Sequence, residues 1–146
     1  MKNSNKTNTY LEHANVTVPD IDASIEFLLT LEPNFQVRHD EQPKDSYRWA
    51  HIGSDQFYIA LQEPELGTQA PYADHKSYRN FGVNHLAWVV EDFEATKKRL
   101  LDKGYELVMD ATPHPHRKRA YFHDNAGGEW EIIGYNTSNP AERNAY

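Results

Sequence analysis

The chain repeats itself. The segment HANVTVPDIDASIEFL, His13–Leu28, lies over HLAWVVEDFEATKKRL, His85–Leu100, without a gap, at an offset of 72 residues in a chain of 146. In this register His13 meets His85, Val18 meets Val90, Asp20 meets Asp92, Ile21 meets Phe93 and Ala23 meets Ala95. A register without gaps at an offset close to half the chain points to two copies of one supersecondary unit.

Each copy reads as βαβββ. The strands Leu11–Val18 and Val83–Val90 alternate apolar and polar residues, as a half-buried strand does. Asp20 and Asp92 then stand where a helix N-cap accepts from free backbone N–H groups. Ile21, Ile25, Leu28 and Leu29 follow helical spacing, and so do Phe93, Leu100 and Leu101. Pro33 and Gly104 mark the two helix ends. Three further strands follow in each half: Phe35–His39, Tyr47–Ile52 and Gln56–Gln62, then Tyr105–Asp110, Arg119–His123 and Glu129–Tyr135. The turns GSDQ and DNAGG separate the last two strands of each half. The organisation expected is a frayed N-terminus over 1–9, a first module over 10–62, a connecting loop over 63–80, a second module over 81–135 and a tail over 136–146. The fold class is α+β, with two modules forming curved mixed sheets around a metal-binding cavity.

Composition narrows the functional classes. A formal net charge of −7 opposes sequence-independent nucleic-acid binding. No apolar run approaches the roughly 20 residues of a membrane span, and the first residues lack a signal-peptide core. The absence of cysteine excludes disulfides and thiolate metal sites and fits a cytoplasmic protein. Eight histidines direct attention to nitrogen and oxygen ligands.

Strand alternation sorts the candidates. Val16 and Val18, and likewise Leu86, Trp88 and Val90, belong under the helices. His13, Asn15 and Thr17, and likewise His85 and Ala87, belong on the opposite faces. On the last strand Trp130 and Ile132 share the helix side, and Glu131 points the other way with Glu129 and Ile133. A carboxylate on an inward face requires a partner or a cation. The fold places His13 and His85 at equivalent positions, so His13, His85 and Glu131 form a candidate ligand set. Tyr121 lies ten residues before Glu131 across a tight turn, which puts its hydroxyl beside the metal. The basic run HPHRKR at 114–119 offers Arg117 and Arg119 to a substrate carboxylate or phosphate. Asn15 and Gln62 complete the candidate substrate contacts. His114 and His116 are assigned to an exposed loop, and His39, His51 and His75 are read as ordinary histidines.

The segments HANVTVPDIDASIEFL, NHLAWVVEDFEATKKRLLDKGYEL and YFHDNAGGEWEII resemble the vicinal oxygen chelate superfamily over residues 10–135. This group includes glyoxalase I, fosfomycin-resistance transferases, extradiol dioxygenases and bleomycin-binding proteins. In its metal-dependent members the ligands sit on the first and last strands of each half, and His13, His85 and Glu131 match three of the four positions. The fourth falls on Ala60, where glyoxalase I has a glutamate, with Gln62 two residues on. Asn15 stands where the transferases have a threonine, and Tyr121 where they have a tyrosine. The resemblance implies a divalent cation (Zn, Ni, Mn or Fe) and lyase or isomerase chemistry through a metal-stabilised enolate or alkoxide. Glu131 is then the base, acting on a small oxygen-bearing substrate. The alternatives it implies are a small Fe(II) dioxygenase and a non-catalytic binding protein of the bleomycin-resistance kind. A homodimer is expected, with His13 of one chain able to complete the site of the other.

Overall fold

The structure is a computed structural model that describes residues 9–64 and 83–145. Residues 1–8 of the expected frayed N-terminus over 1–9, and 65–80 of the expected connecting loop over 63–80, lie outside the described residues. The first module runs β1 (His13–Thr17), α1 (Ile21–Leu31), β2 (Gln36–Glu41), β3 (Trp49–Gly53) and β4 (Tyr58–Gln62). The second runs β5 (Leu86–Val89), α2 (Phe93–Asp102), β6 (Glu106–Asp110), β7 (Arg117–His123) and β8 (Glu129–Tyr135). A short helix not foreseen from the sequence, α3 (Pro140–Arg143), follows. Each module is one four-stranded mixed sheet, ordered β1-β4-β3-β2 and β5-β8-β7-β6. The first strand of each pairs parallel to the last, and the remaining pairs are antiparallel.

The helices begin where the sequence places their caps. The Asp20 carboxylate accepts from Ala23 N–H at 2.9 Å, and Asp92 from Ala95 N–H at 2.9 Å. Each cap satisfies a donor that the helix leaves without a partner. Gly104 ends α2 at φ +82°, a backbone region that other residues enter only at a cost.

The helix-side faces of both sheets close on a single core. Phe27 of α1 is fully buried, stacks on Trp130 of β8 with centroids 5.7 Å apart, and meets Tyr105 edge-on at 4.9 Å. Phe35 and Phe57 of the first module pack on Trp88 of β5 at 5.3 and 5.5 Å. Arg99 of α2 donates to the carbonyls of Thr30 and Leu31 at the end of α1, at 3.1 and 2.9 Å. Ala14, Val16, Val18, Leu86, Val90 and Ile132 all join this cluster. The two α+β modules therefore stand back to back. Their other faces look away from the shared core, and the sheets do not close into a barrel around a cavity within one chain.

Burial across the module boundary makes the two halves one cooperative unit. Phe27→Ala removes a ring from this junction and should cost about 3–5 kcal/mol. Urea unfolding followed by tryptophan fluorescence should show a single transition moved to lower denaturant. Two separate transitions, or an unmoved midpoint, would show that the modules fold independently.

Candidate functional site

Register shows what each outer face carries. On module 2, Ala87 pairs with Glu131, and Tyr121 pairs with Glu131 from the other side. Glu131 is thus flanked by β5 and β7 and is only 6% exposed. His85, just ahead of β5, brings its Nε2 to 3.1 Å from Glu131 Oε2. Tyr121, also buried, meets the His85 ring edge-on with centroids 5.3 Å apart. The structure therefore gathers three of the residues singled out from the sequence: His85, Glu131 and Tyr121.

The His85 ring is held by its neighbour in the chain. Its Nδ1 lies 2.6 Å from Asn84 Oδ1, an oxygen that can only accept, so Nδ1 carries the hydrogen. In the neutral ring Nε2 then presents its lone pair to a carboxylate oxygen. Two electron-pair donors 3.1 Å apart require something positive between them, either a second ring proton or a cation. The spacing suits adjacent positions on one metal ion, since two bonds of about 2.1 Å at a right angle end about 3.0 Å apart. The donor types suit a borderline divalent ion.

Module 1 repeats the device. His13 Nδ1 lies 2.8 Å from Glu12 Oε2, and a carboxylate oxygen likewise only accepts. Glu12 and Asn84 are equivalent under the 72-residue offset. Both histidines are therefore held at Nδ1 by the preceding side chain, which turns Nε2 outward in module 1 and toward Glu131 in module 2, the arrangement in which an outer partner orients a ligating imidazole. Neither Glu12 nor Asn84 was singled out from the sequence. Their position just before each repeated histidine was the available signal.

His13 itself stands on the outer face of module 1 with Asn15 and Gln62. Among the described residues no three His, Asp or Glu side chains converge as a metal-ligand group. The first module also lacks a counterpart of Glu131. Asn15 pairs with Ala60 as Ala87 pairs with Glu131, so Ala60 occupies the equivalent place, and Gln62 lies one pleat further on.

The basic run divides by position. Arg117 is buried and donates to the Arg143 carbonyl of α3 at 2.9 Å. Lys118 is exposed and pairs with Glu94. Arg119 lies one pleat from Tyr121 on the site face, and its buried Nε has no hydrogen-bond partner among the described residues. Asn136 binds the Pro115 carbonyl at 2.8 Å, and His114 caps the His116 N–H, so this loop is braced from within.

Burial first, then the hydrogen bond and negative charge of Glu131, push the Tyr121 hydroxyl above its ordinary value of 10.0. It remains an O–H donor at physiological pH. A hydroxyl that keeps its proton longer in the folded chain leaves stability unchanged below pH 10.0 and lowers it as the pH rises through the folded value. Tyrosinate absorbance should therefore contain a late-titrating component from Tyr121 and the likewise raised Tyr105, and Tyr121→Phe should remove the Tyr121 share of it. Glu131→Gln should move it part of the way back, because burial remains. A late component unaltered by Tyr121→Phe would contradict this assignment.

Residues 12–123 match the model of the Glyoxalase/Bleomycin resistance protein/Dioxygenase superfamily. Among curated proteins none matches the sequence. Among solved structures, a glyoxylase/bleomycin resistance protein/dioxygenase domain from Frankia sp. EAN1pec aligns with a TM-score of 0.70 at 19% identity, covering 89% of this chain and 100% of that one. A glyoxalase family protein from Bacillus cereus aligns at 0.70 and 15% identity, covering 90% and 97%. The fosfomycin resistance protein FosX from Listeria monocytogenes, complexed with Mn(II) and sulfate, aligns at 0.63 and 15% identity, covering 94% and 98%. At these identities the likeness establishes the fold, and the family rests on the sequence match. This chain is a member of the glyoxalase/bleomycin resistance protein/dioxygenase superfamily.

Proposed function

We propose that the protein is a divalent-metal-dependent enzyme of the glyoxalase-like kind, with lyase or isomerase chemistry on a small oxygen-bearing substrate. His85 and Glu131 of one chain hold the metal, and His13 of a second copy completes the ligand set. The observation that carries this reading is the matched pair Glu12–His13 and Asn84–His85, each holding Nδ1 so that Nε2 is the ligating nitrogen, with His85 Nε2 facing Glu131.

Assembly between copies accounts for the exposed apolar residues. Among the described residues β1 and β5 are both edge strands with one unpaired side. Tyr10 and Leu11 run into β1 at 75% and 79% exposure, and Val83 and Val89 bracket β5 at 73% and 61%. An uncovered strand edge with apolar flanks invites pairing. β1 of one copy laid beside β5 of the other would bring His13 to the side of His85 and extend each four-stranded sheet to eight.

The metal, when bound, polarises neighbouring substrate oxygens and lowers the cost of negative charge developing there. Glu131 stands beside those oxygens and takes up the proton that is released. Tyr121, still protonated, turns its O–H from Glu131 to a substrate oxygen. Arg119, one pleat along, adds positive charge behind the tyrosine. Burial of Glu131 and Tyr121 excludes water from the proton's path.

A second reading, a small Fe(II) dioxygenase, is favoured by one specific feature. Ala60 in place of a fourth ligand leaves two histidines and one carboxylate, a set that suits oxygen activation at open positions. Oxygen uptake with a catechol would promote this reading over the first. The three aligned ligands count against a third, a metal-free binding protein. The common requirement is metal. Mn²⁺, Ni²⁺, Zn²⁺ or Fe²⁺ at a hundredfold excess over Kd should raise Tm by roughly 5–10 °C. His85→Ala and Glu131→Gln should lose that shift. A melting temperature indifferent to all four ions would sink both enzyme readings.

A further inference from the structure

The outer face of module 1 carries a row of rings drawn from all four of its strands. His39 stacks on Trp49 with centroids 4.2 Å apart, Trp49 meets His51 at 5.0 Å, and His51 meets Tyr58 at 4.5 Å. Tyr58 lies parallel to His13 at 4.8 Å and 11°. Coplanar rings laid side by side need about 6 Å between centroids to avoid overlap. The near-parallel members therefore face one another. The edges at the tips of the side chains are what the solvent side meets, and ring edges are the positive part of an aromatic ring.

Those edges hold unspent polar atoms. The Tyr58 hydroxyl, the His51 ring nitrogens and the Trp49 indole N–H form no hydrogen bond among the described residues. The register of β2 shifts between Val37 and His39, and Arg38 at that irregularity places its guanidinium 4.6 Å from the centre of the Tyr58 ring. Arg38 donates to the Ser54 carbonyl at 3.2 Å and forms no ion pair among the described residues. Burial, followed by the positive charge of His39, Arg38 and His13, pushes the His51 imidazole below its ordinary value, and Glu12 opposes this. Arg38 thus brings a guanidinium to a face where the neighbouring Tyr58 hydroxyl and His51 ring are neutral. Glu12 and Glu41 bound this face at its two ends, beside His13 and His39, and their carboxylates oppose an extended polyanion.

We propose that this face is an oxyanion subsite, taking a carboxylate or phosphate-type group with Arg38 as the charge partner and Tyr58 and His51 as neutral donors. The row ends on His13. On the reading of a site completed by a second copy, the group held here is the acidic end of the substrate, standing beside the metal ligand. The substrate class that follows is a small acid whose reacting oxygens lie a few bonds from its anionic group.

The test is a titration of metal-free, full-length protein with inorganic phosphate, and separately with acetate, read by backbone and imidazole NMR shifts. Saturable shifts centred on Arg38, His51 and Tyr58 are expected. Arg38→Gln should weaken binding roughly tenfold, the worth of one charge-assisted hydrogen bond. Tyr58→Phe, which keeps the stack and removes the hydroxyl, should weaken it less. Lys98→Gln, the same charge change on an exposed helix, should leave it unaltered. Tighter binding of phosphate assigns a doubly charged group, and equal binding assigns a carboxylate. No saturation with either anion, or equal binding by Arg38→Gln, overturns the proposal. Because metal is absent, phosphate binding in a protein whose Tm ignores metal would refute the proposed function and leave the subsite standing.

Discussion

The contact on which everything else depends is Phe27 on Trp130, with Phe35 and Phe57 on Trp88. These rings join the helix side of one sheet to the helix side of the other. Apolar burial of this size is the main favourable term available to a chain of 146 residues, and here it is placed between the modules. Its geometric consequence is that the polar faces turn outward. His13 goes to one side of the molecule, and His85 with Glu131 goes to the other. On the proposed reading, a duplicated unit thus supplies two half-sites rather than one cavity.

The two half-sites have diverged from a common plan. Each keeps a histidine whose Nδ1 is held by the residue before it. Beyond that, module 2 has buried a carboxylate and a tyrosine beside its histidine, while module 1 has Ala60 in the place of the carboxylate and Tyr58 stacked on its histidine. The equivalence of Tyr121 and His51 makes the divergence concrete, since they pair with Glu131 and Ala60 respectively. One face is acidic and suits a cation. The other carries Arg38 and, on the reading proposed above, suits an anion.

Much of this was legible in the sequence, and the limit is physical. Period-two alternation assigned Val16, Val18, Leu86, Trp88 and Val90 to the helix side, and all five lie in or against the core. The ten-residue spacing across DNAGG placed Tyr121 opposite Glu131, because a tight turn leaves little freedom of register. Alternation, however, says which face a residue is on and nothing about where that face points. The back-to-back packing depends on how Phe27 fits against Trp130, a contact between residues 103 positions apart. The ring row was hidden for the same reason. His39 and His51 read as ordinary histidines because only the cross-strand register brings them beside Trp49 and Tyr58, and only the irregularity in β2 brings Arg38 over that row. Arg117 read as a substrate contact because α3, whose carbonyl accepts its hydrogen bond, carries little signal in four residues.

The central claim is that a working site needs His13 from one copy and His85 with Glu131 from another. It is tested most directly by mixing two variants, His13→Ala and His85→Ala, each unable to bind metal at a complete ligand set. If the sites form between copies, a mixed dimer contains one intact set and one doubly defective set. Exchanged subunits should then bind half a metal equivalent per chain within the mixed dimers, from two inactive parents. If each site forms within one chain, no combination of the two variants regains metal, and that result would contradict assembly between copies.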